Sequence, residues 1–214
     1  MNPHSFLEPH SRAIRLWHWT FALLTSATIA VVLLASTIFR TRNTTSLVQQ
    51  QLQQKGVTVT PDQARAVAHE FSDQLWDIHR IIGFVLCILL FSRWIIELTQ
   101  PKTERLKYRM AKAAGFRSTI PIEMGQSRHY LTVKTIYFVF YGVFAVMALT
   151  GLVLAFDDSI APLHDLHAPA KKLHALLQYP IYTFIVLHLI GVIRADIGHH
   201  KGVVSGMIHG EKLG

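Results

Sequence analysis

Long uncharged apolar stretches alternate with polar segments along the chain. A membrane-spanning helix needs roughly 20 consecutive apolar residues. Three stretches are that long: 16–39, 135–156 and 173–193. A fourth, 76–98, carries His79, Arg80 and Arg93, and beside three spans we interpret it as a membrane helix that faces a polar interior. The pattern therefore predicts an all-α integral membrane protein.

We expect a single domain, residues 1–214, organised as a transmembrane four-helix bundle. The four predicted spans cover about residues 15–39, 76–98, 131–156 and 172–195. Segment 60–63, in the long loop after the first span, reads Thr-Pro-Asp-Gln and is typical of a helix start. It predicts a short amphipathic helix before the second span. Loop 99–129 is basic and broken by glycine and proline, so we expect little regular structure there.

Composition and charge distribution set the expected location. Half of the residues (50%) are hydrophobic and only 16% are charged. The net charge is +8, and the basic residues are unevenly distributed: the termini and loop 99–129 carry twelve Lys and Arg, against six in the other two loops. The positive-inside rule then places both termini in the cytoplasm. We expect a multi-pass protein of the bacterial inner membrane, with no nucleic-acid partner.

Two histidines in the last apolar stretch point to the chemistry. His174 and His188 are fourteen residues apart, which in a helix places them on nearly one face and about 21 Å apart along the axis. An imidazole inside a membrane helix is costly and usually functional. Two of them at two depths are typical of axial ligands for two stacked haems. Each haem then needs a second ligand from another helix.

His18 and His79 are the histidines that match these depths. His18 lies near the inner end of the first span and His79 near the outer end of the second. The fourth helix runs from outside to inside, so His174 is expected at the outer level and His188 at the inner level. Depth pairs His18 with His188, and His79 with His174. All four are predicted ligands of haem iron.

This order of residues resembles the prokaryotic four-helix di-haem b-type cytochromes. That family includes the membrane subunits of nickel–iron hydrogenases and formate dehydrogenases, and stand-alone cytochromes of the same bundle. The resemblance covers essentially the whole chain. It rests on the histidine pair of the last span and on three motifs: Arg15-Leu16-Trp17-His18-Trp19, His79-Arg80-Ile81-Ile82-Gly83 and Ser205-Gly206-Met207-Ile208-His209-Gly210.

Two haems b with two histidine ligands each would have no open position on the iron, which favours electron transfer. Haem propionates are anions and need cations nearby. We expect Arg15 to bind those of the inner haem, and Arg80 and Lys171 those of the outer haem. A snorkelling role in topology is an equal explanation for each cation.

The leading functional hypothesis is electron transfer across the bilayer between a quinone pool and a redox partner protein. Quinone or quinol is then the substrate, and the protein an electron-transfer membrane subunit of an oxidoreductase. Two alternatives stay open: a stand-alone superoxide:quinone oxidoreductase, and a histidine-based metal or proton transporter. Membrane lipid and a second copy of the chain complete the expected partners.

A further histidine pattern lies in the second outer loop. His164, His167 and His174 are spaced H-x2-H-x6-H beside three aspartates. Imidazole and carboxylate groups together can bind a transition metal. The pattern leaves open a metal site on the outer side of the membrane.

Overall fold

The structure is a computed structural model that describes residues 11–103, 105–117, 119–198 and 203–210. Helices account for the regular structure of these residues, which contain no strand. The all-α class is therefore confirmed. In chain order the helices are α1 (Arg12–Ser36), α2 (Thr41–Gln54), α3 (Pro61–Thr99), α4 (Leu106–Gly115), α5 (Pro121–Phe156), α6 (Ala161–His164), α7 (His167–Ile197) and α8 (Val203–His209).

Four of these helices can cross a membrane by length and composition: α1, α3, α5 from Ser127 onward, and α7. Many of their large apolar side chains are exposed, among them Ile88 at 67% and Phe91 at 61%. Apolar surface on this scale is unfavourable in water. In a bilayer the same side chains face hydrocarbon. The prediction of four membrane helices is confirmed.

The helix that was expected to start near residue 61 does start there. The hydroxyl of Thr60 accepts from the Gln63 N–H at 3.2 Å, and the Gln63 side-chain oxygen accepts from the Thr60 N–H at 2.9 Å. This reciprocal pair is a capping box. The helix does not end before the membrane but continues as α3 for 39 residues, about 58 Å. A second helix, α2, precedes it in the same loop.

The expectation of little regular structure in loop 99–129 is wrong. Residues 106–115 form α4, and α5 begins at Pro121. Pro121 is compatible with a helix because the first turn needs no N–H donor from it. Ala113 of α4 is buried, and its carbonyl accepts from the Ser127 hydroxyl of α5 at 2.8 Å. Packing on α5 therefore stabilises a helix of ten residues, which is too short to be stable alone.

Two compact units can be distinguished in the chain. One comprises the chain up to His18 and from Leu89 onward, and the other comprises residues 19–88. In the first unit α5 packs along α7, with α4 against α5 and α8 against α7. In the second, the rings of Phe39 and Phe71 are 6.4 Å apart. The α5–α7 pair positions most of the candidate site; the single-domain organisation stays a prediction.

Candidate functional site

His18 and His188 lie close together within the first unit. Their ring centroids are 6.2 Å apart, and the ring planes are inclined by 58°. Beside His18, the indole N–H of Trp17 donates to the carbonyl of Leu89 at 2.8 Å. This bond ties the start of α1 to the last part of α3. The two imidazoles are thus brought together by α1 and α7.

The separation of these two rings fits one metal ion between them. With a metal–nitrogen bond of about 2.0 Å and about 1.1 Å from nitrogen to ring centre, two opposed imidazoles have centroids about 6.2 Å apart. A direct hydrogen bond of about 2.9 Å between ring nitrogens would bring the centroids to about 5.1 Å. The observed 6.2 Å between His18 and His188 agrees with the first arrangement.

Aromatic side chains flank His188. The phenol oxygen of Tyr137 lies 3.4 Å from its Nδ1. The ring of Phe184, one turn earlier on α7, is nearly parallel to the imidazole, with an angle of 6°. Phe140 of α5 stacks on Phe184 with centroids 3.9 Å apart. These contacts between α5 and α7 restrict the rotation of the His188 ring.

His174 lies against α5. Its Nδ1 is 3.0 Å from the hydroxyl of Thr150 and 3.1 Å from the carbonyl oxygen of Met147. The Thr150 hydroxyl is also 3.0 Å and 2.9 Å from the carbonyl oxygens of Val146 and Met147. A Cβ added to Gly151 would be 3.2 Å from Cε1 of His174. The glycine therefore provides the space in which the imidazole packs.

His79 is held by α1 in the second unit. The hydroxyl of Thr28 lies 2.8 Å from its Nδ1, and the ring of Trp76 meets the imidazole edge-on at 5.6 Å. The predicted partner of His79 is His174, which belongs to the other unit. The pairing of these two histidines stays a prediction.

The same nitrogen is engaged in His79, His174 and His188. In each of them a polar atom of a neighbouring helix contacts Nδ1. Histidines that bind metals usually donate one ring N–H to such a partner, which fixes the tautomer and the ring orientation. Nε2 is then the nitrogen for coordination. This arrangement is suited to ligation of a haem iron.

Arg15 is enclosed by the C-terminal segment. Its Nη1 donates to the carbonyl of Ile208 at 3.4 Å, and it lies 2.1 Å from where a Cβ on Gly210 would be. Gly210 has a φ of 85°, which favours glycine. The Nε of Arg15 is buried, and it has no hydrogen-bond partner among the described residues. A buried donor of this kind can be satisfied by an anionic group such as a propionate.

The other two predicted cations have more open surroundings. Arg80 forms an ion pair with Asp77 at 3.1 Å, one turn away on α3, and both side chains are more than half exposed. Lys171 is exposed in the second turn of α7. Exposed ion pairs contribute little to stability. Binding of haem propionates by Arg80 and Lys171 stays a prediction.

Charged residues within the spans form a cluster that the sequence analysis did not assign to the site. Arg93 and Glu97 are paired at 3.4 Å and mostly buried, and Glu97 also accepts from the backbone N–H of Leu106. The ammonium of Lys134 interacts electrostatically with Arg93 and Glu97. It also lies 5.7 Å from the ring centre of Tyr137, within cation–π distance. Arg93, Glu97, Lys134 and Tyr137 are called the intramembrane polar cluster below. In the sequence, this cluster could have been found from the charged residues that lie at the ends of apolar stretches.

Two carboxylates and a histidine converge at the end of α5. Ligand atoms of Asp157, Asp158 and His164 lie within 4.8 Å of one another. Asp157 is buried and accepts a hydrogen bond from Nδ1 of His167, which lowers the pKa of its carboxyl below the ordinary value. His174, the third histidine of the predicted pattern, is not part of this group and contacts Thr150 and Met147 of α5. A metal at this loop stays a prediction.

The chain matches one protein family over most of its length. The family model described as prokaryotic cytochrome b561 matches residues 9–210 of the chain. No curated protein and no solved structure matches the chain significantly. The family match covers all four spans and all four candidate ligands. It agrees with the resemblance drawn from the histidine motifs.

Proposed function

Because this chain belongs to the prokaryotic cytochrome b561 family, we propose that it transfers electrons across the bilayer, between a quinone pool and a redox partner, through two haems b. Family membership makes it a membrane b-type cytochrome that binds haem b and acts in electron transfer. Its four spans and its family place it in the bacterial inner membrane as a multi-pass protein.

The arrangement of His18 and His188 carries the proposal. Two imidazoles from separate helices lie 6.2 Å apart between ring centres, a separation at which both would be able to hold one haem iron. Both histidines lie in spans, where an imidazole is costly and usually functional. We assign them as the axial ligands of one haem.

His79 and His174 are proposed as the ligands of the second haem. Each has its Nδ1 in contact with a threonine hydroxyl, at 2.8 Å and 3.0 Å respectively. Along α7, His174 is fourteen residues from His188, about 21 Å. The two haems would thus occupy two levels of the membrane, close enough for electrons to pass between them.

Topology assigns these levels to sides of the membrane. Twelve Lys and Arg in the termini and loop 99–129, against six in the other loops, favour a topology with both termini in the cytoplasm. The His18/His188 level is then nearer the cytoplasm, and the His79/His174 level nearer the periplasm.

The role of the chain is to bind and orient rather than to react. A haem supplies a one-electron carrier, and two histidine ligands leave no open position on its iron. The Nδ1 contacts of His79, His174 and His188 would fix the tautomer and orientation of these three rings. Arg15, with its buried Nε, would bind a propionate at the His18/His188 level.

The intramembrane polar cluster is proposed as the quinone-binding region. Reduction of a quinone to a quinol consumes two electrons and two protons. Arg93 and Lys134 can donate hydrogen bonds to quinone carbonyls, and Glu97 and Lys134 can exchange protons. The phenol of Tyr137 lies 3.4 Å from Nδ1 of His188. Contact through Tyr137 supports a location of this region beside the His18/His188 level.

Family membership favours a cytochrome over the alternative of a histidine-based transporter. The superoxide alternative needs a cationic entrance, since superoxide is an anion. Arg80, one of the cations predicted on the outer side, is paired with Asp77, which weakens the local positive field. Electron exchange with a quinone and a partner protein therefore remains the better supported function.

The ligand assignment is tested by counting haems. Purified protein is expected to contain two haems b per chain in a pyridine haemochrome assay. His18→Ala and His188→Ala should lose one spectral component, and His79→Ala and His174→Ala the other. His69→Ala is the matched control, because His69 is exposed and lies on α3 with His79. A single haem in the parent protein, or loss of the same component from His79→Ala and His188→Ala, would refute the assignment.

The quinone region is tested separately with Lys134→Met. This variant keeps the side-chain length but removes the charge and the donors. We expect reoxidation of the reduced protein by a soluble quinone to slow at least about tenfold, the effect typical of a lost acid–base group, with both haems retained. Lys55→Met in the long loop is the control. An unchanged rate in Lys134→Met would place the quinone elsewhere.

A further inference from the structure

The two histidines of α7 have unequal partners on α5. Nδ1 of His174 contacts two oxygens, those of Thr150 and Met147, at 3.0 Å and 3.1 Å. Nδ1 of His188 contacts the phenol oxygen of Tyr137 at the longer distance of 3.4 Å. Hydrogen bonds weaken beyond about 3.2 Å. His174 is therefore held more strongly from α5 than His188 is.

The position of the hydrogen on His174 follows from its partners. The carbonyl of Met147 can only accept a hydrogen bond, so Nδ1 of His174 carries the hydrogen. The hydroxyl hydrogen of Thr150 has its own acceptors, the carbonyls of Val146 and Met147 at 3.0 Å and 2.9 Å. The Thr150 oxygen is then oriented to accept from His174. One imidazole N–H is shared by two acceptors on α5.

We propose that Thr150 is a positioning residue that makes the haem bound by His174 the one of lower reduction potential. The inference rests on the proposed function, because it takes His174 and His188 as axial ligands. An acceptor on the Nδ1–H raises the basicity of a metal-binding imidazole. A more basic ligand donates more charge to the iron and so stabilises its oxidised form. The weaker contact at His188 does this less.

This difference in potential gives α5 a function although it supplies no proposed ligand. An electron shared between the two levels resides more on the haem of His188, because that haem has the higher potential. The same level adjoins the intramembrane polar cluster through Tyr137. Electrons that enter at the His174 level are therefore drawn toward the proposed quinone region.

The test is Thr150→Val, which removes the hydroxyl but keeps the size and the branching at Cβ. In a redox titration followed by optical spectra, the ratio of reduced to oxidised haem at a fixed potential should rise about fivefold for one of the two haems. At 59 mV per decade this corresponds to an increase of about 40 mV in the midpoint potential of that haem. The other haem should not shift. Thr150→Ser, which restores a hydroxyl, should return the potential toward the parent value.

Two controls separate the possible failures. Thr132→Val changes another threonine of α5, whose hydroxyl donates to the carbonyl of Arg128, and should leave both potentials unchanged. His174→Ala identifies the haem concerned, since it should lose the component that shifts in Thr150→Val. If His174→Ala keeps two haems, the ligand assignment fails. If it loses one haem while Thr150→Val moves neither potential, or moves the other one, the role of Thr150 is refuted.

Discussion

Substitution of Gly151 by alanine tests the close packing of α5 on His174. A Cβ at this position would lie 3.2 Å from Cε1 and 3.6 Å from Nδ1 of the imidazole. Carbon atoms in favourable contact are about 3.5–4.0 Å apart. The imidazole must therefore move by about 0.3–0.8 Å to relieve the contact. Metal–ligand distances tolerate only about 0.2 Å, so the shift is large enough to weaken coordination.

The expected result is loss of one haem, with a cost of about 10–100-fold in affinity, which is typical when the support of a metal ligand is disturbed. Helix stability works in the opposite direction, because alanine is favoured over glycine in a helix interior by about 1 kcal/mol. A loss of haem in Gly151→Ala therefore cannot be attributed to a weakened α5. The component lost should be the one that His174→Ala loses.

The assay is the haem content per chain of protein purified in detergent, read together with the optical spectrum of each component. Gly142→Ala is the matched control, because Gly142 lies on the same helix and a Cβ there has no neighbour within 4 Å. It should retain both haems. If Gly151→Ala also retains both haems with unchanged spectra and affinity, His174 does not bind iron in the orientation described here.

Three further predictions concern the whole chain. A reporter fused to Gly214 should be active only if it is one that functions in the cytoplasm, because the positive-inside rule predicts both termini on that side. Activity of a reporter that functions only in the periplasm would exchange the sides assigned to the His18/His188 and His79/His174 levels. Asp157→Asn should lower the unfolding temperature near neutral pH. The hydrogen bond from His167 lowers the pKa of the Asp157 carboxyl, so the ionised carboxylate stabilises the fold at pH values above its ordinary pKa of 3.8. That stabilisation disappears as the pH falls through the depressed pKa, so parent and variant should converge in strong acid; a difference that grew there would refute the His167 bond. Carbon monoxide should leave the spectrum of the reduced native protein nearly unchanged, because under the proposed assignment each iron would be held by two histidines; a large shift would reveal a misassigned ligand.

The order of the helices and the candidate ligands were predictable from local patterns. A stretch such as 135–156 spans a membrane because of its own length and composition, whatever its neighbours are. The spacing of His174 and His188 determines their face and their depth, because the helix repeat is constant. Both kinds of information are contained in a single segment, so no knowledge of packing was needed.

The boundaries and the loop helices were less predictable. The local sequence pattern predicts a short helix near residue 61 and a separate span, but α3 runs through both. The same kind of pattern predicts an irregular loop 99–129, yet α4 forms there and buries Ala113 against α5. Helices as short as α4 are marginal in isolation. Their formation depends on partners that are remote in the sequence.

The sequence by itself determined four membrane helices, two histidine levels and the family to which the chain belongs, because these depend on residue type and spacing within segments. Only the tertiary structure decided which atoms contact each imidazole. Thr28, Tyr137 and Thr150 are ordinary residues of apolar helices in the sequence, and their contacts with His79, His188 and His174 appear only when neighbouring helices take a fixed rotation. That rotation results from side-chain packing between helices, which no single segment encodes.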